Sequence, residues 1–317
     1  MKVVVTYEAS EPHLRRLRES APGAEVVVAA AEDEARELVP DADALLGNRF
    51  LVQSLPFAKR LRWVQSGSMG VDPILRRAGG ALAGVVLTCA RGLYADEVAD
   101  HAMALLLGVA RGLRPAVEAF GDRRWDRWSL RTLAGSRALV LGWGETGRAI
   151  GRRLRGFEVL VQGVRRRHEG PPVRDADGVP VHGPGTWRAE LPATDLLVLS
   201  LPLTNATVSA VGAPELDALA RGAIVVNVGR GAVIDERALF DRLRAGTLAG
   251  AGLDTLCEEP ALPDHPAWSV PGLLLTPHVA RSLETGARRW EPLFEENLRR
   301  FARGEPLLGV VDQAAGY

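Results

Sequence analysis

Three side chains of complementary chemistry stand at intervals in the second half of the chain: Arg230, Glu259 and His278. Each follows a short apolar run. Val225-Val226-Asn227-Val228-Gly229 leads to Arg230. Ala251-Gly252-Leu253-Asp254 leads through Thr255-Leu256-Cys257-Glu258 to Glu259, and Leu275-Thr276-Pro277 ends on His278. In an open parallel sheet, residues just past the carboxyl ends of strands line the binding crevice. An arginine, a glutamate and a histidine delivered there in succession make a proton-transfer site around an anionic substrate. Singly each has a plainer reading, as a surface arginine between glycines, a Glu-Pro loop start or a turn-closing histidine. Their common position at strand ends favours the catalytic one.

A second constellation lies upstream. Ala138-Leu139-Val140-Leu141 runs into Gly142-Trp143-Gly144-Glu145-Thr146-Gly147 and a helical Arg148-Ala149-Ile150-Gly151. In a G-x-G-x-x-G turn Gly142 permits the tight bend, Gly144 lets backbone amides approach a pyrophosphate, and Gly147 lets the helix lie close on the strand. The phosphates sit at the positive end of that helix. The next strand of such a fold usually ends in a carboxylate for the ribose 2′-OH of NAD. Here Arg165 stands at that point, followed by Arg166 and Arg167. Guanidinium groups suit the additional 2′-phosphate of NADP, so NADP(H) is the preferred cofactor and NAD(H) stays possible.

These groups need a frame, and the chain supplies one. Short apolar runs at Val3–Thr6, Glu25–Ala29, Ala42–Leu46, Arg62–Gln65 and Val85–Thr88 read as buried parallel strands, with helical segments between them. Ser10 is the expected N-cap of the first helix, with Pro12 in its first turn. After a long helix over Asp96–Ala110, a second series runs through Arg137–Leu141, Glu158–Gln162, Asp195–Ser200, Ala223–Asn227, Ala249–Leu253 and Leu273–Leu275. Strand–helix alternation of this kind predicts an α/β protein of two doubly wound parallel-sheet domains. A Rossmann cofactor domain over 96–283 is inserted in a flavodoxin-like substrate domain over 1–95, completed by 284–317. The stretch Gly170–Gly185, dense in proline and glycine, reads as a surface excursion. A terminal helix over Ser282–Arg303 is expected to pack back on the first domain.

Composition narrows the function classes. In 317 residues, 39 basic and 39 acidic side chains cancel, which argues against gripping nucleic acid or a membrane surface by bulk charge. The longest apolar stretches, such as Ala102–Ala110, fall far short of the about 18 residues a membrane span requires. No secretory signal is evident. Cys89 and Cys257 are the two cysteines, too few and too far apart for a disulfide framework, and a reducing cytoplasm fits. The six histidines show no metal-ligand spacing, so no metal site is expected. His101 lies inside the long helix, where a packed or interface histidine is the favoured reading.

Taken with these stretches, the sequence resembles the D-isomer-specific 2-hydroxyacid dehydrogenase family. The similar segments are Gly142–Gly147, Leu201-Pro202-Leu203-Thr204, Asn227–Asp235, Leu248–Pro260 and Thr276–His278, with fainter echoes at Gln65–Asp72 and Tyr94–Leu107. The resemblance implies that Arg230 clamps substrate carboxylate and carbonyl oxygens, a geometry suited to a guanidinium. It makes His278 the general acid and Glu259 the carboxylate that orients and charges the imidazole. Backbone amides around Met69 and Gly70 would bind the substrate carboxylate. Cofactor contacts would come from Glu145, Thr146, Pro202, Thr207, Val228, Gly229 and Arg230. Asp254 resembles the family's acidic residue near the nicotinamide, with a structural role as the competing reading.

Departures from the family pattern bear on which substrate is used. Met69 stands where a small residue is common, Asp100 where many relatives carry Glu, and Arg281 and Glu284 where small polar residues are expected. The implied reaction is reduction of a small 2-oxoacid, such as glyoxylate or hydroxypyruvate, to the 2-hydroxyacid. The resemblance also implies a homodimer, with Trp125–Trp128 as a candidate contact; those tryptophans could equally pack within one chain. A non-catalytic dinucleotide-sensing protein, like the corepressors that share the fold, is the alternative.

Overall fold

The structure is a computed structural model describing residues 1–317 apart from Arg167, Glu169 and residues 282–288. Arg167, Glu284 and the first residues of the expected terminal helix thus lie outside the described residues. The chain divides into two compact units, the described parts of Met1–Tyr94 with Leu283–Tyr317 and of Ala95–Ser282.

The first unit is built on β1 (Lys2–Val5), β2 (Glu25–Val28), β3 (Ala44–Leu46), β4 (Trp63–Gln65) and β5 (Val86–Thr88). All pair in parallel, in the order β2-β1-β3-β4-β5, the flavodoxin-like doubly wound arrangement. Its middle strands are apolar on both faces because both faces are covered. Val3 and Val5 belong to one core with Trp63, Phe294 and Leu298, whereas Val4 belongs to the other with Leu45, Val64 and Leu87. Ser10 caps the helix Glu11–Ser20, its Oγ accepting from the His13 amide at 3.4 Å. The terminal helix Glu291–Arg303 is bolted to that helix by Arg16, which donates to Glu291 and Glu295 at 2.7 Å each.

The second unit carries β6 (Arg137–Leu141), β7 (Leu160–Val164), β8 (Val173–Arg174), β9 (Pro180–His182), β10 (Leu196–Leu199), β11 (Ile224–Asn227), β12 (Gly250–Leu253) and β13 (Leu273–Leu275). Their order is β13-β12-β11-β10-β6-β7-β9-β8. This corrects the reading of Gly170–Gly185 as a surface excursion. That stretch holds the antiparallel pair β8–β9, and β9 joins β7 in parallel as the third strand of the Rossmann order. Pro180 at the first position of a short strand lacks a donor and masks the pattern. The second strand also sits two residues later than expected, because Glu158 adopts a left-handed backbone (φ 59°) and turns the chain before it.

One register row fixes the geometry of this sheet. His182, Val164, Leu141, Leu199, Asn227, Leu253 and Leu275 are direct neighbours from strand to strand. Every strand of the row therefore ends at the same level. The loops that follow leave from one edge, at intervals of about 4.8 Å. The long helix Ala95–Ala110 lies so close on β12 that a Cβ at Gly250 would meet Val109 at 2.5 Å and one at Gly252 would meet Leu105 at 2.7 Å. Glycine at those positions is what allows the contact. Among the described residues no helix is long and apolar enough to cross a membrane.

Candidate active site

At the β6 end, Gly142 (φ 104°) turns the chain, and its amide and that of Trp143 donate to the Val164 carbonyl at 3.0 and 2.7 Å. A Cβ at Gly142 would strike the Ser200 carbonyl oxygen at 2.6 Å, and one at Gly147 would strike the Gly142 carbonyl oxygen at 2.1 Å. Gly144 differs. A Cβ built on it meets nothing within 4 Å, although it caps the helix Glu145–Gly156. Two glycines are thus demanded by the protein's own packing and one faces open space at a helix N-terminus, whose first amides have no partner within the helix. That is the cradle a phosphate group needs, so these residues fit a dinucleotide. Thr146 is half-buried and Glu145 exposed beside the turn.

Arg165 and Arg166, both exposed, follow β7 directly, and the Arg165 amide continues the ladder to His182. Because the glycine turn hangs on the Val164 carbonyl, Arg165 and Arg166 are the first two residues past its anchor. Arg166 also lines an open cleft of about 310 Å³ with Gly183, Pro184, Gly185 and Thr186. Trp143 secures this corner from beneath. Its ring fills the space over Gly163 and Gly151, where a Cβ would come within 2.3 Å, and its Nε1 donates to Asp175 at 2.7 Å in the β8–β9 turn.

On the other flank, Asn227 ends β11 and folds its loop. Its Nδ2 donates to the Arg230 carbonyl at 2.9 Å, and its Oδ1 accepts from the Gly229 amide at 3.0 Å. Val228 is held by the Leu199 carbonyl. Pro202 leaves β10, where Thr207 Oγ1 donates to the Pro202 carbonyl at 2.6 Å and closes that loop on itself. Arg230 stands half-buried at the head of the next turn. Gly231 then packs against the loop after β12, within reach of Leu256.

That loop carries Glu259. Its Oε1 accepts from the Leu256 amide at 3.0 Å, and its Oε2 meets His278 Nδ1 at 2.7 Å. The carboxylate is therefore fixed by its own loop before it fixes the imidazole. Nearby, Glu236 Oε1 accepts from the Cys257 amide at 2.5 Å. Burial raises the Glu236 carboxyl above its ordinary value, with the Cys257 hydrogen bonds only partly offsetting it. Desolvation of the sulfur, then the Glu236 charge, pushes the Cys257 thiol up to about 12, so it stays protonated and is a poor nucleophile.

Asp254 is 1% exposed. Its Oδ1 accepts from Thr276 Oγ1 at 2.7 Å and the Val279 amide at 2.9 Å, and its Oδ2 from the Ala280 amide at 3.0 Å. Burial alone would raise this carboxyl, but the hydrogen bonds, His101 foremost, outweigh it and hold the group below the usual carboxylate range. Its oxygens are spent on the protein, which favours the structural role over the cofactor contact. His101, expected as a packed or interface histidine, joins this group: its Nε2 lies 2.8 Å from Thr276 Oγ1 and 3.2 Å from Asp254 Oδ1. Met69 and Gly70 belong to the other unit, half-buried in the turn between β4 and the helix Asp72–Ala78. The structure thus brings Arg230, Glu259, His278 and Asp254 to one edge of one sheet, with the glycine turn along the same edge.

Comparison with known proteins agrees with this architecture. Residues 103–280 match the profile described as D-isomer specific 2-hydroxyacid dehydrogenase, NAD binding domain. A glyoxylate reductase of Korarchaeum cryptofilum is 30% identical, covering 98% of this chain and 96% of that protein. A D-3-phosphoglycerate dehydrogenase of Archaeoglobus fulgidus is 27% identical over 98% of this chain, which spans 59% of that longer relative. Among solved structures, the NADPH-dependent glyoxylate/hydroxypyruvate reductase of Sinorhizobium meliloti, in complex with NADP and sulfate, superposes with a TM-score of 0.84. It is 28% identical, with 100% of this chain and 99% of that one covered.

Proposed function

The chain belongs to the D-isomer-specific 2-hydroxyacid dehydrogenase family, and on that premise we propose that it reduces a small 2-oxoacid of the glyoxylate or hydroxypyruvate type with NADP(H). The observation that carries the reading is the 2.7 Å pairing of His278 Nδ1 with a Glu259 carboxylate that is itself anchored to its loop. An imidazole so held keeps one tautomer and leaves Nε2 as the atom that exchanges a proton with substrate. His278 gives that proton to the carbonyl oxygen in the reducing direction and takes it back in the reverse. Arg230 holds the carboxylate of the 2-oxoacid, a planar anion that suits a guanidinium. When bound, the reduced nicotinamide supplies the hydride; the protein supplies placement and charge complementarity.

The Gly142–Gly147 turn and the first turn of its helix hold the pyrophosphate, with Pro202, Thr207, Val228 and Gly229 shaping the rest of the cofactor groove. Arg165 and Arg166 select the 2′-phosphate, since no carboxylate competes at the end of β7. A homodimer forms through the exposed apolar face of the helix Leu113–Gly121, where Leu113, Val117 and Phe120 are 52, 70 and 86% exposed, and through Trp125, 95% exposed. Trp128 instead packs on Gly112 within the chain. A cytoplasmic setting suits the two free cysteines.

An absorbance assay of NADPH and NADH oxidation over glyoxylate, hydroxypyruvate, pyruvate and bulkier 2-oxoacids tests the proposal. Turnover is expected with the small acids and NADPH, and replacing Arg165 and Arg166 by alanine should weaken NADPH far more than NADH. Tight cofactor binding with no turnover on any 2-oxoacid would point to a dinucleotide sensor instead. Equal loss of both cofactors would refute the role of the arginines.

A further inference from the structure

We infer that His101 is a positioning residue for His278, acting from the long helix through Thr276 and the Asp254 carboxylate. This rests on the reading of His278 as the proton donor and adds the device that holds its backbone. His278 sits in the left-handed region (φ 54°), a conformation that a β-substituted residue keeps only when its surroundings enforce it. Most of the enforcing groups are on Asp254, with the Thr276 carbonyl sharing the His278 amide at 3.0 Å. The Asp254 backbone carbonyl accepts the His278 amide at 2.8 Å, and its carboxylate takes the amides of Val279 and Ala280. Three consecutive amides of the histidine segment thus close on one aspartate.

The aspartate needs its own support, and the long helix provides it. Thr276 has one hydroxyl hydrogen, and the 2.7 Å contact directs it to Asp254 Oδ1. The 2.8 Å contact between Thr276 Oγ1 and His101 Nε2 is therefore a donation from the imidazole. The same nitrogen lies 3.2 Å from Asp254 Oδ1, so the imidazole sits against both members of the pair. His101 is brought there by register. Val109 packs over Gly250 and Leu105 over Gly252. Four residues of helix advance about 6 Å and two of strand about 6.6 Å, so the next pair in the series is His101 with Asp254. The two glycines of β12 that let the helix approach also set this contact.

The test uses the full chain with NADPH and glyoxylate. His101→Leu keeps the bulk of the side chain and loses the N–H; His101→Gln keeps a donor near the Nε2 position. If the inference is right, His101→Leu lowers kcat by about 10- to 100-fold through misplacement of the imidazole. It also enlarges the solvent deuterium isotope effect on kcat, while the NADPH dissociation constant changes little. His101→Gln should then recover most of the loss. Wild-type kcat and isotope effect in His101→Leu would overturn the inference. So would an equal loss in both variants, accompanied by parallel losses of cofactor affinity and melting temperature, because that marks a merely structural histidine. His278→Ala, assayed alongside, separates the two levels. If it is inactive while His101→Leu is normal, the positioning role alone fails; if it is itself active, the reading of the site fails and the positioning role with it.

Discussion

A methyl group at Gly231 should separate Arg230 from Glu259 with little effect on the cofactor half of the site. Built at ideal geometry, the added Cβ of Gly231→Ala falls 1.9 Å from the Leu256 carbonyl carbon, 2.1 Å from its oxygen and 2.3 Å from the Cys257 nitrogen. Relaxed carbon contacts lie near 3.5 Å, so the two loops must part by about 1.5 Å. All three atoms are backbone, and no rotamer change relieves the clash. The displaced loop carries Glu259 through its hydrogen bond to the Leu256 amide, whereas Arg230 is bonded directly to the substituted residue. Misplacement of about 1 Å costs roughly 100-fold, or about 2.7 kcal/mol of barrier. We therefore expect kcat/KM for glyoxylate to fall by about two orders of magnitude. Overpacking should cost about 1–3 kcal/mol of stability. NADPH affinity, read by fluorescence titration, should fall far less than kcat/KM, because β10 lies between the strand that leads into the glycine turn and this contact. A kcat/KM within threefold of the parent would refute the claim that this contact sets the distance between the arginine and the glutamate.

Two further substitutions probe the site from either side. Gly144→Ala meets no protein atom, so its stability should stay within about 0.5 kcal/mol while NADPH affinity falls at least tenfold, since the methyl occupies the space left for phosphate. Unchanged affinity in a titration would place the phosphates elsewhere. Asp254→Asn should cost about 3 kcal/mol at neutral pH, as a buried carboxylate and its donors are disrupted. Because the folded Asp254 pKa lies below the ordinary 3.8, its contribution is complete above that value and is lost as the pH falls through the lower folded one. Melting curves of parent and variant should accordingly converge as the pH falls below the ordinary carboxylate range, and a gap that persists in strong acid would contradict this sign.

Much of this was legible in the residues. Strands covered on both faces announce themselves as unbroken apolar runs, which is why β1, β10 and β11 fall almost where the sequence puts them. Arg230, Glu259 and His278 stand out because each follows such a run. β9 was hidden by Pro180 and its brevity, and the start of β7 was obscured by the left-handed Glu158. The helix Leu113–Gly121 presents no apolar stripe to a core, since Leu113, Val117 and Phe120 face outward and Ala119 is its one buried residue. His101 sits inside a helix, which suggests a packed or interface histidine, and its partners lie 153 and 175 positions away. The signal existed, in the four-residue spacing of His101, Leu105 and Val109 against the two-residue spacing of Gly250, Gly252 and Asp254. It becomes visible only once the helix is known to lie on that strand.

The most direct measurement is the rate of NADPH oxidation by His278→Ala with glyoxylate, beside the NADPH dissociation constant of the same variant. If His278 donates the proton, turnover falls by about 10²- to 10⁴-fold and the dissociation constant stays within about twofold of the parent. Turnover near that of the parent, or an equal loss of turnover and cofactor binding, would contradict the assignment.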